Sequence, residues 1–198
     1  MEWKYPEVFD QSDLATWKNR FLRKETLTRE WDLCLWEIAP DIYEIPLFTS
    51  EFCDKVVNNF SDERGEIVKI WDHTSELLSI NTEFIESVRI SIAEHLIFAF
   101  HHAWHVDVQS VHKMTWNYAF YRFKKNQDLR VRHDGSFLSL YTHLDRDSEG
   151  GELYFPKYDF EIKPKQGHCY FFPGRITHRY GIKMIKSPES HCLLTYIL

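Results

Sequence analysis

The sequence predicts an α+β chain that is mainly β: a jelly-roll core preceded by helices, forming one domain over residues 1–198. Three observations predict it. From Lys113 onward, short apolar or alternating runs recur between turn signals, the pattern of a β-sandwich. Before Lys113, apolar residues recur three and four positions apart, the spacing of a buried helix face. Aromatic residues reach 16%, a share that suits strands and an aromatic-packed core. We therefore expect a helical part over about residues 1–112 and a jelly-roll part over about 113–198.

In chain order, Asp13 is placed to cap a short helix starting at Leu14. Asp41-Ile42-Tyr43-Glu44-Ile45 alternates as a strand that Pro46 ends or marks as an edge. Thr49 or Ser50 then caps a helix through Glu51 to Val57. Ser61 to Glu66 reads as a charged loop, and Ile67 to Trp71 as a short apolar segment. Asn81-Thr82-Glu83 opens the longest helix, whose buried face carries Ile85, Val88, Ile92, Leu96 and Phe100. It ends in a histidine cluster. His101 and His105 stand at i, i+4, a metal-clamping spacing, but no Glu lies between them and no third ligand is visible. The preference of a helix C-terminus for cations accounts for the cluster more simply. Strands are expected at Trp116 to Phe123, Phe137 to Leu144, Glu152 to Phe155, Phe160 to Lys163, His168 to Phe172 and His191 to Leu198.

Composition excludes several classes of function. A net charge of −6 without a dense Lys/Arg cluster argues against nucleic acid as the partner. No apolar run is long enough to span a bilayer. The first residues lack the apolar core of a signal peptide, so the expectation is a cytoplasmic chain or a domain cut from a longer secreted one. Cys34, Cys53, Cys169 and Cys192 form no CxxC pair and read as small buried hydrophobes. His143 reads as a satisfied core histidine and His168 as packing. Asp145 to Glu149 reads as a solvated loop.

Four segments together resemble a known family. They are Asp41 to Phe48 with Cys53-Asp54, Leu129 to Ser136, Glu149-Gly150-Gly151, and Pro173-Gly174-Arg175-Ile176-Thr177-His178. In this order they are similar to the C-terminal catalytic domain of procollagen lysyl hydroxylases, among the iron(II)- and 2-oxoglutarate-dependent dioxygenases. The resemblance covers most of the chain and is densest from Tyr121 to His178. It implies a double-stranded β-helix, and Fe(II), 2-oxoglutarate and ascorbate as cofactors. It also implies peptidyl-lysine in a protein substrate, a possible homodimer and a secretory-pathway setting. The family's site has the form His-x-Asp followed by a distal His. Strand alternation explains that spacing, because residues i and i+2 point to one side. Carried over, the carboxylate is Asp134 and the distal ligand is His178. Tyr121 and Tyr118 are candidates to line a cosubstrate pocket, although an aromatic strand is more often core.

The chain departs from the pattern twice. Arg132 stands where the first histidine belongs, and a guanidinium offers a metal no lone pair. His133 is adjacent, but alternation turns it away from Asp134 unless a bulge rotates it inward. Without such a bulge Arg132 and Asp134 share a face and can pair, giving a pseudo-site. The second departure is the cosubstrate base, an Arg or Lys in the family. The nearest equivalents here are Ser190 and His191, with Arg179, Lys183 and Lys186 in the preceding loop. Two functions therefore compete: a hydroxylase with Asp134, His178 and His133 as metal ligands and His191 and Tyr121 at the cosubstrate, or an inactive relative that binds a partner. A cupin-like binding domain for another ligand is the remainder.

Overall fold

The computed structural model describes residues 4–60, 66–70, 73–78 and 82–198, with side chains described outside 61–91. The helices are α1 (Leu14–Phe21), α2 (Lys24–Thr28), α3 (Trp31–Cys34), α4 (Ser50–Phe60), α5 (Thr82–Trp104) and α6 (Val108–Lys113). The strands begin with β1 (Trp36–Ala39), β2 (Ile42–Pro46), β3 (Glu66–Ile70), β4 (His73–Leu78), β5 (Trp116–Lys124) and β6 (Leu129–Arg132). They continue with β7 (Leu138–His143), β8 (Leu153–Phe155), β9 (Phe160–Ile162), β10 (His168–Pro173), β11 (Tyr180–Ile182) and β12 (Glu189–Ile197).

Local signals explain the helix starts. The Asp13 carboxylate accepts the Thr16 N–H at 3.0 Å, a cap worth about 1 kcal/mol. Thr49, not Ser50, caps α4, its hydroxyl accepting the Phe52 N–H at 3.4 Å. On α5 the residues Ile92, Leu96 and Phe100 are buried as the periodicity requires. The side chains of Ile85 and Val88, and the loop over 61–65, lie outside what is described.

All strand pairs are antiparallel. They form an eight-stranded sheet, β1-β2-β10-β7-β12-β5-β4-β3, and a four-stranded sheet, β6-β11-β8-β9. Among the described residues all six α-helices precede residue 114, but β1 to β4 come from the same part and extend the large sheet at both edges.

Strand alternation divides the interior into two cores. Leu193 and Ile197 of β12 join Phe120, Leu140 and Phe171 beneath the helices, where Phe48 stacks on Phe52 at 4.1 Å. Cys192 and Leu194, one residue out of phase, join Tyr121, Tyr141 and Tyr170 on the opposite face. That second core is closed by Leu129, Leu153, Phe155, Tyr180 and Ile182 of the small sheet. Two sheets thus share one core and the helices cover the outside of the larger.

Candidate functional site

The motif from Val131 to Ser136 runs off the end of β6 toward β7. On the small sheet Tyr180 opposes Arg132 and Ile182 opposes Leu129, so two steps on β11 match three on β6. That mismatch is a bulge. Directly opposed residues share a face, so Leu129 and Arg132 both turn inward with Ile182 and Tyr180. A regular strand would have turned them to opposite faces, being an odd number of residues apart. The bulge therefore delivers Arg132 to the core side, and His133 is left exposed.

An Arg132 Nη2 lies 2.9 Å from Asp134 Oδ1, and the Asp134 side chain has no exposed surface. The second carboxylate oxygen accepts the Ser139 hydroxyl at 2.6 Å, and Ser139 shares a 2.9 Å hydrogen bond with Ser136. The Asp134 and Gly135 N–H groups both donate to the Gly174 carbonyl, at 3.0 and 2.9 Å. A Cβ on Gly174 would fall 1.8 Å from Ser136 Oγ and 2.6 Å from Ser139 Oγ, so a glycine is needed for this approach. Burial is the largest influence and works against the Arg132 charge, but Asp134 together with Tyr180, Tyr196 and Tyr121 outweighs it and raises the guanidinium pKa. The Tyr180 hydroxyl faces the same carboxylate, and burial first, then that charge, keeps it neutral.

His178 is buried on a short 3-10 turn, Ile176–His178. It lies just before β11 as Asp134 lies just after β6, so the two motif positions flank the same end of a paired set of strands. The imidazole is engaged elsewhere. Its Nε2 lies 3.0 Å from the Pro40 carbonyl and 3.0 Å from the Tyr158 hydroxyl, and its Nδ1 lies 3.0 Å from Thr177 Oγ1. A carbonyl can only accept, so Nε2 carries the proton and has no lone pair for a metal. Thr177 then donates to Nδ1.

His191 and Tyr121 do not meet. In the β5–β12 register Tyr121 opposes Cys192, whereas His191 opposes Arg122, so the two side chains occupy opposite faces of the large sheet. Tyr121 faces the inter-sheet core. His191 packs against Phe120 on the helix side, and its backbone N–H and ring Nδ1 both engage Asp145, the ring at 2.8 Å. Asp145 is thereby half-buried and ordered, unlike the solvated loop expected for it. Arg179, Lys183 and Lys186 are exposed, and Lys183 pairs with Glu161.

The remaining candidates resolve simply. His143 is buried between the Tyr141 hydroxyl at 3.1 Å and the Ser148 hydroxyl at 3.0 Å, and burial lowers its pKa to about 4. His168 does more than pack: its Nδ1 lies 2.7 Å from Glu44 Oε1, which also takes Lys165 Nζ at 2.8 Å. His101 and His105 are exposed with rings 6.3 Å apart. All four cysteines are free and buried, and burial pushes the Cys169 thiol up to about 12. Among the described residues no three His, Cys, Asp or Glu side chains group as a metal site.

The fold is that of 2-oxoglutarate/iron(II) oxygenases. A viral collagen prolyl hydroxylase from Paramecium Bursaria Chlorella virus-1, solved with 2-oxoglutarate, superposes with a TM-score of 0.62 at 20% identity, over 79% of this chain and 95% of that one. A Pseudomonas putida prolyl-4-hydroxylase does so with a TM-score of 0.63 at 10% identity, over 79% and 91%. In sequence, the relatives are procollagen lysine hydroxylases. The rat multifunctional procollagen lysine hydroxylase and glycosyltransferase LH3 is 25% identical over 197 residues, covering 87% of this chain and 25% of the relative. Mouse procollagen-lysine,2-oxoglutarate 5-dioxygenase 1 is 26% identical over 193 residues, covering 87% and 25%. The chain thus spans about a quarter of the length of these relatives. No protein-family model matches it. Among the described residues no helix is long and apolar enough to cross a membrane.

Iron, the metal this fold implies, does not fit the donor set present. One expected ligand position holds a guanidinium bonded to the carboxylate ligand, His133 is exposed, and His178 presents a protonated nitrogen.

Proposed function

We propose that this chain is a catalytically silent relative of the collagen hydroxylases, a double-stranded β-helix that acts by binding a partner. The observation that carries the proposal is the 2.9 Å contact between Arg132 and the fully buried Asp134 side chain. The guanidinium supplies internally the positive charge that a carboxylate in this position would otherwise take from a metal. If it stayed about 4 Å from an incoming divalent ion, repulsion would cost on the order of 8 kcal/mol at an effective dielectric constant of about 20. The ion would therefore have to displace Arg132 and shift the His178 proton from Nε2 to Nδ1, giving up the hydrogen bond to Pro40. Interior space is also committed: Tyr121 and Tyr196 hydrogen-bond to each other beside the pair.

The test is turnover. Protein supplied with Fe(II), 2-oxoglutarate and ascorbate is expected to form no more succinate than its Asp134→Ala variant. Succinate production that depends on Asp134 would overturn the proposal. Similarity to procollagen lysine hydroxylases favours one other reading, hydroxylation of peptidyl-lysine with Asp134, His178 and His133 as ligands. It requires Arg132 to swing out and His133 to turn in, and the same assay decides it.

A further inference from the structure

The outer face of the small sheet carries a groove. Two clefts of about 540 and 280 Å³ lie side by side there and share Val131 and Tyr154. The β6 bulge that turns Arg132 inward leaves Arg130 and Val131 on this outer side. Pro156 and Ile176 extend the apolar floor, and Ile176 is 71% exposed, a costly position for a branched aliphatic with nothing over it. Lys157 and Arg179 border the larger cleft, and Arg130 and Lys183 the smaller. Of the nearby acids, Glu161 pairs with Lys183, Glu152 also acts on Lys183, and Asp128 lines the smaller cleft. Among the described residues neither Arg130 nor Arg179 has a carboxylate partner. A chain of net charge −6 thus presents a locally cationic, apolar-floored groove.

We propose that this groove docks an acidic peptide segment of a partner protein, with carboxylates on Arg130 and Arg179 and an apolar side chain seated between Tyr154 and Ile176. The inference rests on the binding role proposed above and names the chemistry of the partner. Charge complementarity selects the occupant. A nucleic acid would face a chain of opposite overall sign and a floor with one aromatic ring, a poor stacking platform. A second copy would need roughly 800 Å² from each partner for a stable interface, a broad surface rather than a cleft across three short strands.

The probe is a fluorescein-labelled peptide of repeated Glu-Glu-Leu units, followed by anisotropy. We expect saturable binding that weakens as salt rises, and a loss of about tenfold or more in Arg130→Glu/Arg179→Glu. The control pair Lys24→Glu/Lys113→Glu, exposed elsewhere, should bind as the parent does. The proposal is overturned by no binding, by equal losses in both pairs, or by equal affinity for an all-Glu peptide or a single-stranded oligonucleotide of matched charge. Self-association in sedimentation that disappears in Arg130→Glu/Arg179→Glu would also overturn it, assigning the groove to a second copy. Absent peptide binding with absent succinate removes the groove and leaves the silent-site reading standing. Succinate formation with peptide still bound does the reverse.

Discussion

Arg132→Met removes the cation from the buried pair while keeping an unbranched side chain of similar reach. Asp134 then keeps one hydrogen bond, from Ser139, and its other oxygen loses its ionic partner with no exposed surface to hydrate it. Breaking a buried ion pair from one side costs about 3–5 kcal/mol. The Arg132 side chain is 25% exposed, so water shares part of its charge and we expect about 2–3 kcal/mol. For a domain of this size that lowers Tm by about 5–10 °C. Urea unfolding followed by tryptophan fluorescence measures it directly. The companion variant Asp134→Leu should lose a comparable amount. The double variant should lose much less than the sum, giving a coupling of about 2 kcal/mol. An Arg132→Met protein within about 0.5 kcal/mol of the parent, or an additive cycle, would refute the reasoning.

Acid sensitivity follows from the buried histidines. Burial lowers His143 and His95 from 6.5 to about 4, so between those values the unfolded chain binds protons that the folded one refuses. Stability is therefore present above pH 6.5 and falls as pH drops toward 4, by up to about 3 kcal/mol per histidine; His143→Gln should flatten part of that slope in denaturant titrations across the window. Gly174→Ala would force a methyl group onto Ser136 and Ser139, and we expect a loss of about 1–3 kcal/mol by calorimetry. A Gly174→Ala protein as stable as the parent would show that the serine cluster is slack.

Much of the fold could be read in the sequence because the decisive signals are local. Asp13, the Ile92, Leu96 and Phe100 part of the α5 face, and the strand runs from Trp116 onward all act within a few residues, and each has its counterpart in the structure. The pairing of Arg132 with Asp134 was likewise accessible from strand alternation. The bulge was not, because it depends on the partner strand β11, whose three residues give no strand signal of their own. The cap on His178 comes from Pro40, 138 residues away, and nothing in the composition of the β1–β2 turn announces it. His191 was placed by its position after the distal histidine, where a single step along β12 exchanges the inter-sheet core for the helix side. Ser139 and Gly174, which hold Asp134, were visible as a strand residue and a turn residue, but they meet only through the pairing of β7 with β10.

Whether Arg132 occupies the metal's place is decided by a calorimetric titration with Mn(II), a redox-stable stand-in for Fe(II). The parent protein should give no binding heat, whereas Arg132→His, which restores a donor two residues before Asp134, should bind the ion in a manner abolished by Asp134→Ala. Micromolar binding to the parent that is lost in Asp134→Ala would contradict the account.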